Sequence, residues 1–285
     1  MSLVMGAQLA AEIQTGLHAI EAGLLSVPGG TFTMGAEDLG IPEREVTVDS
    51  FKMGKYTVTN EEYDSWVKSL GAERFFLLRY DSKTDSPSIV ARASSKEEVF
   101  GSGVFQIIAG ELIQKGGLDF ALQIVEIEDH HSPENFDRPN QPGVSVSWYD
   151  SITYALMHGA RLATEEEWEY AATEGGKKKY ATPSGKLTNE EVHFNQDIEK
   201  GTTIDVDDPR YPDGPFGIRH LTGNVWEWTG SSWAPGSPLK VLRGGSWNDD
   251  ILDDLRAACR SYGRPEVSDG YFGFRLVVRR QDSSK

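Results

Sequence analysis

Beyond Ala172 no helical period returns before Lys285. Gly and Pro recur through that stretch, and both interrupt helices and strand interiors. Its apolar residues come in short runs bounded by turn signals. Such a chain either stays disordered or builds its core from ordered loops and short strands. Composition decides for the second, because 38% of the 285 residues are hydrophobic and seven are Trp, enough for a sizeable core.

Regular elements are legible only before that point. Leu9, Ile13, Leu17, Ile20 and Leu24 fall at helical spacing and predict one amphipathic N-terminal helix over residues 7–25. A helix packed on its own domain is a simpler reading of that stripe than a partner-binding arm. Thr59 with Glu62, Ser147 with Asp150 and Thr164 with Glu167 have capping-box spacing. They predict three helices, the first burying Tyr63, Trp66, Val67 and Leu70 and stopping at Gly71, the last burying Trp168, Ala171 and Ala172. Val46, Val48, Phe51 and Met53 predict strands, and so do VFQIIAGELI and LDFALQIVEIE inside residues 72–142. His130 and His131 are adjacent, so a regular strand would point them to opposite faces, which argues against a shared metal.

The formal charge of −16 disfavours nucleic acid and anionic membrane surfaces as partners. No run of 18 apolar residues occurs, so no transmembrane helix is expected. The first 25 residues lack a basic start and an unbroken apolar core and do not read as a secretory signal. These features assign no compartment, and they leave the oligomeric state open. One cysteine, Cys259, forbids an internal disulfide.

Six motifs in order, GGTFTMG, VTNEEY, PGVSVSWYDSITYALMHGARLATEEEWEYAA, GNVWEW, VLRGGSW and GYFGFRLV, resemble the formylglycine-generating enzyme or sulfatase-modifying-factor family. The resemblance implies an α+β fold of C-type-lectin-like type. That means short twisted strands, two or three helices and long ordered loops over residues 26–280, with an insertion at about 72–142 and a tail at 281–285. In the family's oxidases two thiolates bind copper just after RGGS. Here Asp249 and Asp254 stand at the corresponding places, and hard carboxylates do not replace thiolates for Cu(I). Cys259 lies later and is single. A non-catalytic chain is therefore expected, with a divergent enzyme or a regulatory paralogue with a fixed partner as alternatives. No cofactor is required on this reading. The family's calcium site, carried over, would use the Gly223 and Val225 carbonyls and the Glu227 side chain, but His220 stands where the family has Asn. An imidazole suits calcium poorly. Asn195, Asp205 and Asp207 offer oxygens for a second, more remote match.

Between the framework blocks of residues 243–277 lies text without period: Asn248, Asp249, Asp250, Ile251, Leu252, Asp253 and Asp254; Cys259; Ser261, Tyr262, Gly263 and Arg264; Val267, Ser268, Asp269, Gly270, Tyr271 and Phe272. None of these is Lys, Glu, Gln, Met or Trp. Every residue type present can be encoded by a codon ending in C or T, and those five cannot. Randomising the adenines of an Asn codon generates this alphabet. The segment thus resembles the variable region of a diversity-generating retroelement target protein. That resemblance implies a macromolecular ligand, protein or other, held by the 248–272 surface. Leu255, Ala257, Ala258, Phe274 and Leu276 would form core beneath it, and Arg243, Arg256 and Arg275 would hold loops by bonds to carbonyls. The aromatics would supply rigid contacts, as in antibody loops.

Overall fold

The computed structural model describes residues 7–81, 86–101 and 120–279. Helix α1 (Ala7–Ile20) passes through a 3-10 turn at Glu21–Gly23 into strand β1 (Leu24–Val27). Leu24 therefore ends in a strand, not on the helix. The helix buries Leu9 and packs Ile13 and Ile20 on the main core. Gly16 makes this possible: a Cβ there would lie 2.5 Å from the Met157 carbonyl oxygen. Helix and domain share one core.

Strand β2 (Gly30–Ala36) pairs with β3 (Ile41–Val48) as an antiparallel hairpin, and β4 (Phe51–Gly54) follows. The order β1-β4-β12, with β12 spanning Val277–Arg279, closes both ends of the domain into one antiparallel sheet. Helices α2 (Asn60–Leu70), α4 (Trp148–Met157) and α5 (Glu165–Ala172) each begin at the expected capping box. The predicted faces are buried: Tyr63, Trp66, Val67 and Leu70 on α2, Trp168, Ala171 and Ala172 on α5.

The insertion forms its own sheet. Strands β5 (Phe75–Asp81), β6 (Ser86–Ala93) and β7 (Phe120–Glu126) run in the order β6-β5-β7, with the short helix α3 (Lys96–Gly101) after β6. Period-two alternation splits β5: Leu77 joins Ala91, Ala93 and Val99 in a local core, while Phe76 and Leu78 join the main one. The insertion is thus packed on the domain. VFQIIAGELI lies outside the described residues. His130 is structural, its ring placed 2.7 Å from Asp64 Oδ1 and 2.6 Å from the Val144 carbonyl.

The last sheet carries the loop surface. Strands β8 (Trp226–Ser232), β9 (Lys240–Arg243), β10 (Ser261–Gly263) and β11 (Phe272–Phe274) lie in the order β10-β9-β8-β11, with β11 parallel to β8. The outer strand β10 lies in the unpatterned text of the sequence, and β11 runs from its last residue, Phe272, into the GFRLV frame. Trp148 and Trp228 are buried at the centre of the main core, and Trp168 anchors a second one with Phe51, Met53 and Val277.

Candidate functional site

The 243–277 segment divides by burial along the boundaries read from the sequence, except at Arg260 and Glu266. Arg243–Trp247, Leu255–Ala258, Pro265 and Gly273–Val277 are all buried. None of the eighteen filler positions is buried; the frame residues Arg260 and Glu266, which lie among them, are not buried either. Ile251 and Leu252 are more than half exposed, as is Tyr262.

Buried cations hold the frame. Arg243 is fully buried and donates to Glu165 at 3.1 Å, to Glu169, and to the Ala257 and Ala258 carbonyls at 2.7 and 3.2 Å. Glu169 also accepts from the Gly35 backbone N–H at 2.8 Å. Glu165 further receives Arg260, 2.9 Å at Nη2. Two carboxylates of α5 thus fix the route of the loop, and sequence reading missed them because EEEWE looks like a solvated acidic turn. Only the 3.6-residue period marks Glu165 and Glu169 as sharing a face with Trp168. Arg275 bonds the Gly54 and Arg219 carbonyls, as expected of it. Arg256 instead forks onto the Asp38 carboxylate with two bonds of 2.8 Å.

The filler positions do not all meet in one place. Asp249, Asp254, Cys259, Asp269 and Tyr271 gather on one side. Cys259 Sγ lies 3.8 Å from Asp254 Oδ1. Burial, then the charge of Asp249, raises the Asp254 carboxyl above its usual range. The Tyr271 phenol is raised first by burial and then by Asp269 and Asp249. Tyr262 stands apart, its ring tilted against Trp233 at 4.8 Å, and Arg260 covers Trp233 at 4.3 Å. Ser268 borders a separate cleft of about 350 Å³ beside His130 and Asp150.

Three filler residues have structural duties that the sequence did not disclose. Asp249 closes the turn after RGGS by accepting from the Ser246 N–H at 2.6 Å and its hydroxyl at 2.8 Å. Phe272 packs edge-on against Trp228 at 5.3 Å. Gly263 admits no side chain, because a Cβ would come 2.5 Å from Trp228 Cη2. The expectation that Gly263 is freely changeable is corrected on that ground.

The oxidase chemistry has no thiolate pair to run on, since the chain holds one cysteine. Burial and then the neighbouring Asp254 push the Cys259 thiol up to about 11, away from the thiolate that metal binding or nucleophilic attack needs. The calcium expectation also meets a poor donor set. Arg275 takes both oxygens of Glu227, at 2.7 and 2.5 Å, and the Trp168 indole N–H adds a third bond at 2.9 Å. A guanidinium fills the space that a cation would need. His220, at the place of the family's Asn, is half-buried with its Nε2 enclosed and unpartnered, and desolvation pushes it down to about 3. Gly223, Val225 and Glu227 are together but do not fit calcium. Asp205 lies 3.4 Å from Arg138, Asp207 bonds Asn140, and no metal-holding cluster of His, Cys, Asp or Glu occurs among the described residues.

Sheet order, the loop-built core and the buried arginine anchors define a C-type-lectin-like scaffold of the type found in formylglycine-generating enzymes. The sulfatase-modifying factor enzyme 1-like domain matches residues 11–280, and the chain belongs to that family. It is 29% identical to the formylglycine-generating enzyme of Bos taurus over 90% of this chain and 74% of that one. It is 30% identical to the inactive C-alpha-formylglycine-generating enzyme 2 of Mus musculus, over 91% and 87%. Among solved structures, Treponema denticola variable protein 1 shares the fold at a TM-score of 0.58 and 16% identity, covering 90% of this chain and 94% of that one. No helix of the described residues is long and apolar enough to cross a membrane.

Proposed function

We propose that this chain is a non-catalytic ligand-binding protein, a retroelement-diversified variable protein that presents its 248–272 surface to a macromolecule. The observation that carries the reading is the burial split: the eighteen filler positions, which lack five residue types, are never buried, while the frame blocks RGGSW, LRAA and GFRLV are. A surface can be rewritten without unfolding the domain only if the rewritten residues lie outside the core. Asp249 and Asp254 stand where the family's oxidases carry thiolates, and the lone Cys259, further along the chain, has its thiol pushed up, which supports a binding role over catalysis. The chain's resemblance to a relative named as inactive, and its shared fold with a variable protein, support the same reading.

Tyr262, Tyr271, Ile251 and Leu252 supply the apolar contacts, and the aspartates at 249, 250, 253, 254 and 269 supply a field that favours a basic or polar partner. The test is sequencing of this locus across isolates. Substitutions confined to the named positions, beside a reverse transcriptase and a near-copy template, are expected. A 248–272 segment that is invariant while the rest of the chain drifts would refute the reading.

A further inference from the structure

On a chain of net charge −16, Lys177, Lys178 and Lys179 are the one run of three consecutive cations. The turn after α5 gathers them at one rim. Gly176 donates its N–H to the Thr173 hydroxyl at 2.9 Å, and Lys177 and Lys178 donate theirs to the Thr173 carbonyl at 2.8 and 2.9 Å. The three lysines line a cleft of about 270 Å³ together with Arg256.

The charges in this cleft are incompletely matched. Glu174 serves both Lys177 at 4.0 Å and Lys178 at 2.9 Å. Lys179 forms no ion pair among the described residues and lies 5.9 Å over the Tyr180 ring. Arg256 has its side chain nine-tenths buried, with Nε unpartnered. Its fork is taken by the carboxylate of Asp38, which is 66% exposed; Asp253 adds a longer contact at 3.6 Å. Glu169, on the cleft floor, is neutralised by Arg243 and by the Gly35 N–H. A buried guanidinium whose outward fork is closed only by an exposed, replaceable carboxylate is a seat for an oxyanion. A planar fork accepts carboxylate or phosphate with two parallel bonds, and ammonium groups add point charge.

We propose that this cleft binds a phosphate-type oxyanion, held by the Arg256 fork and by Lys177 and Lys179, with Asp38 occupying the seat when no ligand is present. The cleft admits a small phosphate or phosphomonoester. Of the 248–272 filler positions only Asp253 reaches the Arg256 fork, at 3.6 Å among the described residues, so the proposal does not rest on whether that surface varies.

The test is calorimetric titration of the full chain at low ionic strength with inorganic phosphate, and in a second arm with phosphoserine, which separates a free ion from a phosphomonoester. One site per chain is expected in at least one arm. The variant Asp38→Asn removes the internal competitor and should tighten binding several-fold. The variant Lys179→Ala should weaken it about 5-fold or more, by losing one near charge. Arg256→Lys should weaken it further, although charge is kept, because the fork is lost. Lys179 and Asp38 are exposed, so both variants leave the core intact, and thermal melts check this. No uptake in either arm, or uptake unchanged by Asp38→Asn and Lys179→Ala alike, would overturn the proposal.

Discussion

Replacing Gly263 by Ala adds one carbon atom, and the structure says where it lands. The new Cβ would lie 2.5 Å from Trp228 Cη2, 3.2 Å from Cζ3 and 3.5 Å from Cζ2. Contacts below 3.0 Å are not tolerated by real Cβ atoms, so one partner must move. Trp228 has little freedom: it is 1% exposed, donates its indole N–H to the Val146 carbonyl at 3.1 Å and meets Phe272 edge-on at 5.3 Å. Strand β10 is held in register by β9, with Gly263 opposite Lys240. Overpacking of this kind costs about 1–3 kcal/mol, and the loss of the indole bond would add about 1 kcal/mol. The expected total is about 2–4 kcal/mol, read as a lowered midpoint in urea unfolding followed by Trp fluorescence. Ile251→Ser and Leu252→Ser, at exposed neighbours in the same segment, should each change stability by no more than about 0.5 kcal/mol. A Gly263→Ala variant within 0.5 kcal/mol of the parent would show that β10 floats free of Trp228. The removal of Gly263 from the changeable positions would then fail.

Other outcomes follow from the same geometry. Glu169→Gln removes one of the two buried carboxylates that face Arg243, leaving Glu165 at 3.1 Å, and should cost about 1–3 kcal/mol in chemical unfolding; a loss under about 0.5 kcal/mol would mean that this contact does not anchor the loop. Folding holds His220 neutral, with its value pushed down to about 3 by burial and then by Arg275 and Arg219. The unfolded chain takes up that proton below about 6.5, so this contribution is whole above pH 6.5 and is lost as pH falls toward 3. Between pH 6.5 and 5 the loss is about 2 kcal/mol. A His220→Gln variant should flatten that part of the stability profile, and an unaltered slope would contradict it. With its thiol pushed up to about 11, Cys259 should react with a disulfide reagent at pH 8 on the order of a hundred-fold more slowly than a free thiol. Calcium and chelator should leave the melting temperature unchanged, because Arg275 already occupies Glu227; a rise of several degrees with calcium would refute that assignment.

The helices were legible because their signals are local. Thr59–Glu62, Ser147–Asp150 and Thr164–Glu167 satisfy N-terminal backbone donors within four residues, whatever the rest of the chain does. The frame and filler of residues 243–277 were legible from local text as well: the frame carries the family blocks RGGSW and GFRLV, and the filler is confined to a restricted alphabet. The sequence by itself therefore determined the family, the three capped helices, the absence of a thiolate pair and the outline of the candidate surface. Long-range pairing was decided elsewhere. Whether EEEWE faces water or buries Glu165 and Glu169 depends on Arg243, more than seventy residues away. Glu227 reads as a metal ligand until Arg275 closes on it, and Gly263 reads as filler until Trp228 lies beneath it. Each of these outcomes depends on charge or volume brought together by the sheet order β10-β9-β8-β11 and by the loops around it, and no local pattern encodes that neighbourhood.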